Sequence, residues 1–216
     1  MFLNQAEADA IDGRIARIEA RTGAQIVAAV VARSDGYPEV VWKAFALGAA
    51  AAALVVVALD LAHPDRMSPY ATLVNVLAVI GAGAASALLA VAAPHYARLF
   101  LDRLRVDGEV RQHAQAMFLE RQLFRTQART GVLVLVSLFE RKVEILADVG
   151  FDGRIDGRAW HSVVAAMMPK LTEGRLAEAI GAGLERVEQL LVALHVEHRA
   201  GAPDELPNRP IEEGDV

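Results

Sequence analysis

The sequence predicts an α/β protein: a three-layer α/β/α domain with a central mixed sheet, plus an inserted two-helix apolar hairpin. Three observations predict it. Amphipathic helical periodicity alternates with short, β-branched apolar runs, as helices covering both faces of a buried sheet require. Two long stretches near the middle of the chain lack charge over a length at which buried helices of a soluble core rarely do without a polar stripe. The segment before those stretches, one helix and one strand, cannot bury a core alone, so it is read with the segment after them as two pieces of one domain.

The first piece covers residues 1–42. Ile11, Ile15 and Ile18 recur at helical spacing, and Asn4 with Glu7 three positions later forms the pattern of a capping box. Gly23 fits a helix C-cap that needs a positive φ, and Gln25 to Ala32 then reads as a buried strand. No basic region with a short apolar core opens the chain, so no cleavable signal is predicted.

The hairpin covers residues 43–93, with spans predicted at about 44–62 and 70–93. Only Asp60 interrupts the first run, and Tyr70 to Ala93 contains no formal charge. At ~1.5 Å per residue, each run is long enough for a ~30 Å hydrocarbon core. Trp42, Lys43 and Tyr70 have the amphipathic character of interface anchors. Residues 61–69, with Pro64 and Pro69, are left for a tight turn. Gly48 and Ala52, then Gly81 and Ala85, supply small residues four apart, which allow close helix approach.

An even number of spans returns the chain to its starting side. Arg33, Lys43, Arg98, Arg103 and Arg105 flank the hairpin, against Arg66 alone in the turn. By the positive-inside rule, both termini are expected in the cytoplasm, with the protein integral to a bacterial inner membrane. The bilayer is then the first partner, and Arg98, Arg103, Arg105 and Arg111 form a cationic stretch suited to anionic headgroups.

The second piece covers residues 94–198. Val106, Val110, Ala114, Met117 and Phe118 mark a helix predicted to run to about Thr126. Ala128-Arg129-Thr130-Gly131 repeats the earlier Ala20-Arg21-Thr22-Gly23, so Gly131 is read as a second positive-φ cap before a strand. Val132–Leu138 and Val143–Ala147, around a charged turn, read as a β-hairpin. Trp160 to Leu171 and Leu176 to Leu194 carry the periodicity of two more helices. The Pro-rich, acidic residues 199–216 read as a disordered tail.

Composition narrows the chemistry. The chain has 216 residues, net charge -5 and no cysteine. A phosphate-neutralising basic excess is missing, which argues against nucleic acid. Zinc-thiolate sites, iron-sulfur clusters and a cysteine nucleophile are excluded. Gly181-Ala182-Gly183 lies within a helix and lacks the final glycine of a dinucleotide fingerprint, and no phosphate loop is present, so no nucleotide cofactor is expected. His195 and His198, three apart on the last helix, have no third zinc ligand nearby. Two alanine-rich spans without a buried charge offer no transport pathway unless many copies assemble.

One acidic constellation remains. Asp148, Asp152 and Asp156 sit four apart at a strand end and in the following loop, where α/β folds bind ligands. Converging carboxylates there are candidate ligands for Ca²⁺ or Mg²⁺. The competing reading is Asp-Gly turns at Asp152 and Asp156, with Asp156 capping the next helix and Arg154 and Arg158 close by.

Thr22-Gly23-Ala24-Gln25-Ile26-Val27, Arg129-Thr130-Gly131 with its strand, Glu140 to Asp148 and the helix around Gly181–Leu184 together resemble the TPM domain family. The resemblance extends over nearly all of the chain outside the hairpin and tail. It implies a membrane-associated α/β domain from a family in which some members are acid phosphatases and some bind calcium. Phosphatase-type members carry Asp-Asn-Gly where this chain has Arg129-Thr130-Gly131, so a base stands in place of an acid. Gly131, Gly150, Asp152 and Asp156 match the family pattern. The expectation is therefore a binding or accessory module acting on membrane proteins. A metal-dependent phosphohydrolase is the alternative.

Overall fold

The computed structural model describes residues 2–63, 68–193 and 206–214. The chain divides into two compact units, residues 1–34 with 107–216, and residues 35–106.

In the first unit, helix α1 (Gln5–Thr22) begins as its sequence predicts. The Asn4 side chain accepts from the Glu7 backbone N–H, and the Glu7 carboxylate accepts from the Asn4 N–H. It stops at Gly23, whose φ of 68° closes the last turn onto the Glu19 carbonyl. Strand β1 (Gln25–Val31) follows at once and is buried at every position. Near its start, Ile26 N–H donates 2.7 Å to the buried Glu19 carboxylate, tying strand to helix.

Strand β2 (Gly131–Ser137) lies parallel to β1 in a seven-residue register from Gln25↔Gly131 to Val31↔Ser137. Strand β3 (Lys142–Ala147) pairs antiparallel with β2, from Val132↔Ala147 to Ser137↔Lys142. On the other side of β1 a short strand, β4 (Ile211–Glu213), pairs parallel through Ala29, Val30 and Val31. The sheet order is β3-β2-β1-β4.

Alternation along the strands sorts the core into two layers. Ile26, Ala28, Val30, Val132, Val134 and Val136 pack with Ile11, Ile15 and Ile18 of α1, and with helices α6 (Gly157–Thr172) and α7 (Leu176–Ala193). Val27, Ala29, Val31, Leu133 and Leu135 point to the opposite face and are equally buried. Helix α5 (Arg103–Glu120) covers that face with Val110, Ala114 and Met117. Three layers therefore enclose a mixed sheet, as predicted. Gly183 sets the approach of α7 to α6, since a Cβ there would lie 2.5 Å from the Met167 sulfur.

Two local expectations are corrected. Helix α5 ends at Glu120 rather than near Thr126, and a short 3-10 turn (Leu123–Arg125) precedes β2. Gly131 is not a positive-φ cap: the left-handed residue of that segment is Arg129, with φ 55°. Glycine is required at 131 by space, because a Cβ would sit 2.4 Å from the Leu123 carbonyl oxygen.

The predicted disordered tail is corrected over residues 206–214, where strand β4 forms. Its order comes from tertiary contact rather than composition. Glu212 accepts from the Phe2 and Leu3 backbone N–H groups, Glu213 lies within ion-pair distance of His113 and Arg121, and Leu206 N–H donates to the Gln25 side chain. His195 and His198, and residues 64–67 of the predicted turn, lie outside the described residues.

The second unit contains helices α2 (Pro38–Ala62) and α3 (Pro69–Ala92), followed by the short helix α4 (Pro94–Ala97). Both long helices are apolar enough and long enough to cross a membrane. They pack closely at Gly48, where a Cβ would meet Ser86 and the Ala82 carbonyl at 2.6 and 2.7 Å, and at Gly83, which faces the Phe45 ring. Gly81, expected at the contact from its small-residue spacing, faces open space. Polar side chains pin the pair at both ends. Ser86 Oγ donates 2.6 Å to the Ala44 carbonyl, leaving its lone pairs to accept from the Tyr96 hydroxyl at 2.7 Å. Asn75 Nδ2 donates to Asp60 at 3.2 Å.

Replacing Leu135 by Ala, at a fully buried sheet position, should destabilise the protein by about 2–5 kcal/mol. Leu119→Ala, on an exposed part of α5, should stay within about 0.5 kcal/mol of the wild type. Urea unfolding followed by circular dichroism distinguishes the two.

Candidate functional site

The site is built where β3 runs out and the chain turns toward α6. Asp148 follows the last residue of β3, and its N–H donates to the Gly131 carbonyl, so it stays locked to the sheet. Its side chain caps a short 3-10 turn (Val149–Phe151) by accepting from Val149 N–H at 2.8 Å. Buried Phe151 packs edge-to-face on Trp160 of α6 with ring centroids 6.1 Å apart, which anchors the turn to the core.

Arg129 closes on this carboxylate from the segment before β2. Its Nε donates to one Asp148 oxygen at 2.7 Å and its Nη2 to the other at 2.8 Å, a bidentate pair. The carboxylate is 3% exposed and the guanidinium 49% exposed. The left-handed conformation of Arg129 brings the backbone close as well: Gly150 N–H donates 2.9 Å to the Arg129 carbonyl. Any Cβ at Gly150 would lie 2.3 Å from that oxygen, so this glycine is fixed by close approach.

The pair's electrostatics follow from the geometry. The Arg129 guanidinium, first through its hydrogen bonds and then through its charge, holds the Asp148 carboxyl below the usual carboxylate range, against the opposing effect of burial. The same hydrogen bond raises the Arg129 pKa.

The other two aspartates are spent differently. Asp152 ends the 3-10 turn and is exposed. Asp156 is the N-cap of α6, its side chain accepting from Arg158 N–H at 3.4 Å. Among the described residues, no group of three or more His, Asp or Glu side chains is arranged to hold a metal ion. Of the three aspartates only Asp148 is buried, and both of its oxygens are engaged by the Arg129 guanidinium. Spacing alone suggested convergence; it carried no signal for a partner at Arg129.

Two other polar features escaped the sequence reading. At the carboxyl ends of β1 and β2, Ser34 Oγ and Ser137 Oγ are 3.0 Å apart, Ser137 bonds to Glu140, and Ser34 N–H donates 2.9 Å to the same carboxylate. Ser137 is fully buried, so the cluster ties the end of β1 to the β2–β3 turn. A groove of about 540 Å³ between α1 and α7 is crossed by Arg14, which donates 2.9 Å to the Gly181 carbonyl and faces Glu185 at 3.8 Å.

The cationic stretch is partly neutralised. Arg105 pairs with Asp35 at 3.1 Å and Glu39 at 3.0 Å, and Arg111 with Glu144 at 3.9 Å.

Because Asp148 has a lowered pKa in the folded state, its ionised form stabilises the fold above the unfolded carboxylate value. That contribution is lost as pH falls through the folded value. Arg129→Ala should therefore be most destabilising at neutral pH, with the difference from wild type shrinking below about pH 4. Urea unfolding at pH 7 and pH 3.5 checks this, and a pH-independent difference would refute the pairing. Gly150→Ala should cost about 1–3 kcal/mol by forcing the backbones apart.

Comparison with known proteins agrees with this architecture. No match is found among curated proteins. Among solved structures, the NMR structure of BA42 protein from the psychrophilic bacterium Bizionia argentinensis is similar in fold, with a TM-score of 0.57 and 16% sequence identity over 98% of this chain and 96% of that one. The family model described as TPM domain matches residues 96–190, which include α5, β2, β3, α6 and most of α7. Strand β1, which pairs with β2 along its whole length, lies before that match, so the sheet is completed by residues on the far side of the inserted hairpin. The stretch similar to the TPM domain model includes both Arg129 and Asp148.

Proposed function

We propose that the protein is a TPM domain anchored in a bacterial inner membrane by helices α2 and α3, and that it acts by binding, as an accessory to other membrane proteins. The observation that carries the binding reading is the bidentate Arg129–Asp148 pair. An internal guanidinium sits where phosphatase-type members have an acid, and it occupies the carboxylate on which a divalent cation would have to be built. A cation binding there would have to compete with the guanidinium for the same two oxygens.

Anchoring is supported by exposure. Only 6% and 11% of the most apolar stretches of α2 and α3 are buried, and Leu54, Leu61, Leu73, Leu77 and Leu88 present their side chains outward. Core helices of a soluble domain are buried instead, and contiguous apolar surface of this extent marks an interaction with lipid or protein. Flanking Arg33, Lys43, Arg98, Arg103 and Arg105 favour cytoplasmic termini.

Two experiments test the reading. Alkaline phosphatase fused at Asp65 should be active and a fusion after Val216 inactive; the reverse pattern would overturn the orientation. Calorimetric titration of Ca²⁺ and Mg²⁺ should give no saturable binding. Stoichiometric binding lost in Asp152→Asn/Asp156→Asn, together with hydrolysis of a generic phosphomonoester, would instead establish the metal-dependent phosphohydrolase.

A further inference from the structure

The two long helices and the chain that follows them are tied together at one level. Ser86 Oγ of α3 reaches both the Ala44 carbonyl of α2 and the Tyr96 hydroxyl. Tyr96 comes ten residues after Ser86, and a helix continued straight would carry it about 15 Å farther along the axis. The chain instead bends at Ala93, which is extended, and Pro94, so that α4 and the 3-10 turn after it (Arg98–Phe100) lie against the end of the helix pair. Lys43 Nζ fixes that placement by donating 3.1 Å to the Phe100 carbonyl, and the Tyr96 ring packs edge-to-face on Phe100 with centroids 5.2 Å apart.

The side chains of this collar are of two kinds. Trp42, Leu99 and Leu104 are 72%, 76% and 83% exposed, and the apolar surface of α3 runs up to the bend, with Leu88 and Val91 exposed. The charges do not balance. Arg105 takes both Asp35 and Glu39, and Asp102 accepts from Leu104 N–H at 2.9 Å. Lys43 and Arg103 are exposed and have no carboxylate partner among the described residues, since Lys43 bonds to a neutral carbonyl. Single exposed leucines are ordinary on a protein surface. Exposed leucines set among uncompensated cations and a tryptophan, at the end of a charge-free helix pair, match the headgroup layer of a bilayer.

We propose that residues 96–104, with Trp42 and Lys43, form an interfacial foot: Trp42, Leu99 and Leu104 enter the boundary between headgroups and acyl chains, and Lys43 and Arg103 bind the phosphates of anionic phospholipids. The proposal rests on the reading of α2 and α3 as membrane spans. Amphipathic segments of this kind lie in the plane of the interface. Each cation close to an anionic surface favours it about fivefold. Because the foot is fastened to the helix pair through Tyr96 and Lys43, it sets the depth of the hairpin and gathers anionic lipid at its base.

The test uses the full chain in nanodiscs of phosphatidylcholine and phosphatidylglycerol. The chain has no cysteine, so single nitroxide labels can be placed cleanly. Labels at Leu99→Cys and Leu104→Cys should collide more often with oxygen, which concentrates in the bilayer, than with a water-soluble nickel chelate. A label at Leu77→Cys within α3 should do the same. A bilayer-like Leu77 position with water-like positions 99 and 104 overturns the foot and leaves the anchor standing, whereas a water-like Leu77 position overturns the anchor and the foot with it. Trp160→Phe leaves Trp42 as the only tryptophan. Its fluorescence should be quenched about twofold or more better by brominated phosphatidylglycerol than by brominated phosphatidylcholine at the same mole fraction. Lys43→Gln/Arg103→Gln should abolish that difference. Equal quenching by the two lipids before those changes, or an undiminished difference after them, overturns the proposal. Circular dichroism and thermal unfolding establish that each variant is folded.

Discussion

The parallel ladder between β1 and β2 is the constraint on which the domain depends. It joins residues 25–31 to residues 131–137, and both strands are buried on both faces. Neither piece of the first unit has a core without it. α1 needs the sheet face presented by Ile26, Val30, Val132 and Val134, and α5 needs the opposite face presented by Val27, Leu133 and Leu135. Parallel neighbours always require a long crossover. Here the crossover contains a whole second unit, and the sheet tolerates it because closing a longer loop adds entropic cost only logarithmically.

The same ladder fixes the candidate site. β2 begins at Gly131, where space admits no side chain, and β3 returns antiparallel to end beside it. That return places Asp148 next to the segment carrying Arg129, nineteen residues earlier in the chain. The pair is thus a property of the β2–β3 hairpin rather than of the loop that holds the other aspartates. It forms a structural clasp: the carboxylate is buried, its ionised form is favoured and both oxygens are hydrogen-bonded, which ties the end of β3 to the segment before β2.

Much of this was legible in the sequence because it was periodic. Ile11, Ile15 and Ile18, the apolar runs of β1 and β2, and the charge-free lengths of α2 and α3 each carry a local signal that tertiary structure reinforces. The Asn4–Glu7 box and Gly23 were equally local. β4 was not, because Ile-Glu-Glu in a Pro-rich acidic segment has no strand signature until Phe2, His113, Arg121 and the β1 edge are brought to it. Arg129 was visible as a substitution of base for acid, but its partner depended on strand register. The three aspartates are equally spaced, but spacing says nothing about which oxygens are already engaged. Gly81 misled because small-residue spacing is common in an alanine-rich helix: the contact falls at Gly48, as its spacing suggested, and on α3 at Gly83.

The split sheet also sets an order of events during synthesis. β1 is complete at Val31, but its partner β2 is complete only at Ser137. At ribosomal speeds of about 5–20 residues per second, β1 waits roughly 5–20 s for β2 to be made. Throughout that interval a seven-residue apolar strand has no sheet to join, the kind of segment that seeds aggregation. Both long apolar helices emerge within the same interval. Both apolar helices are therefore made before the sheet can close, and whatever shelters β1 during those seconds decides how much of the protein folds.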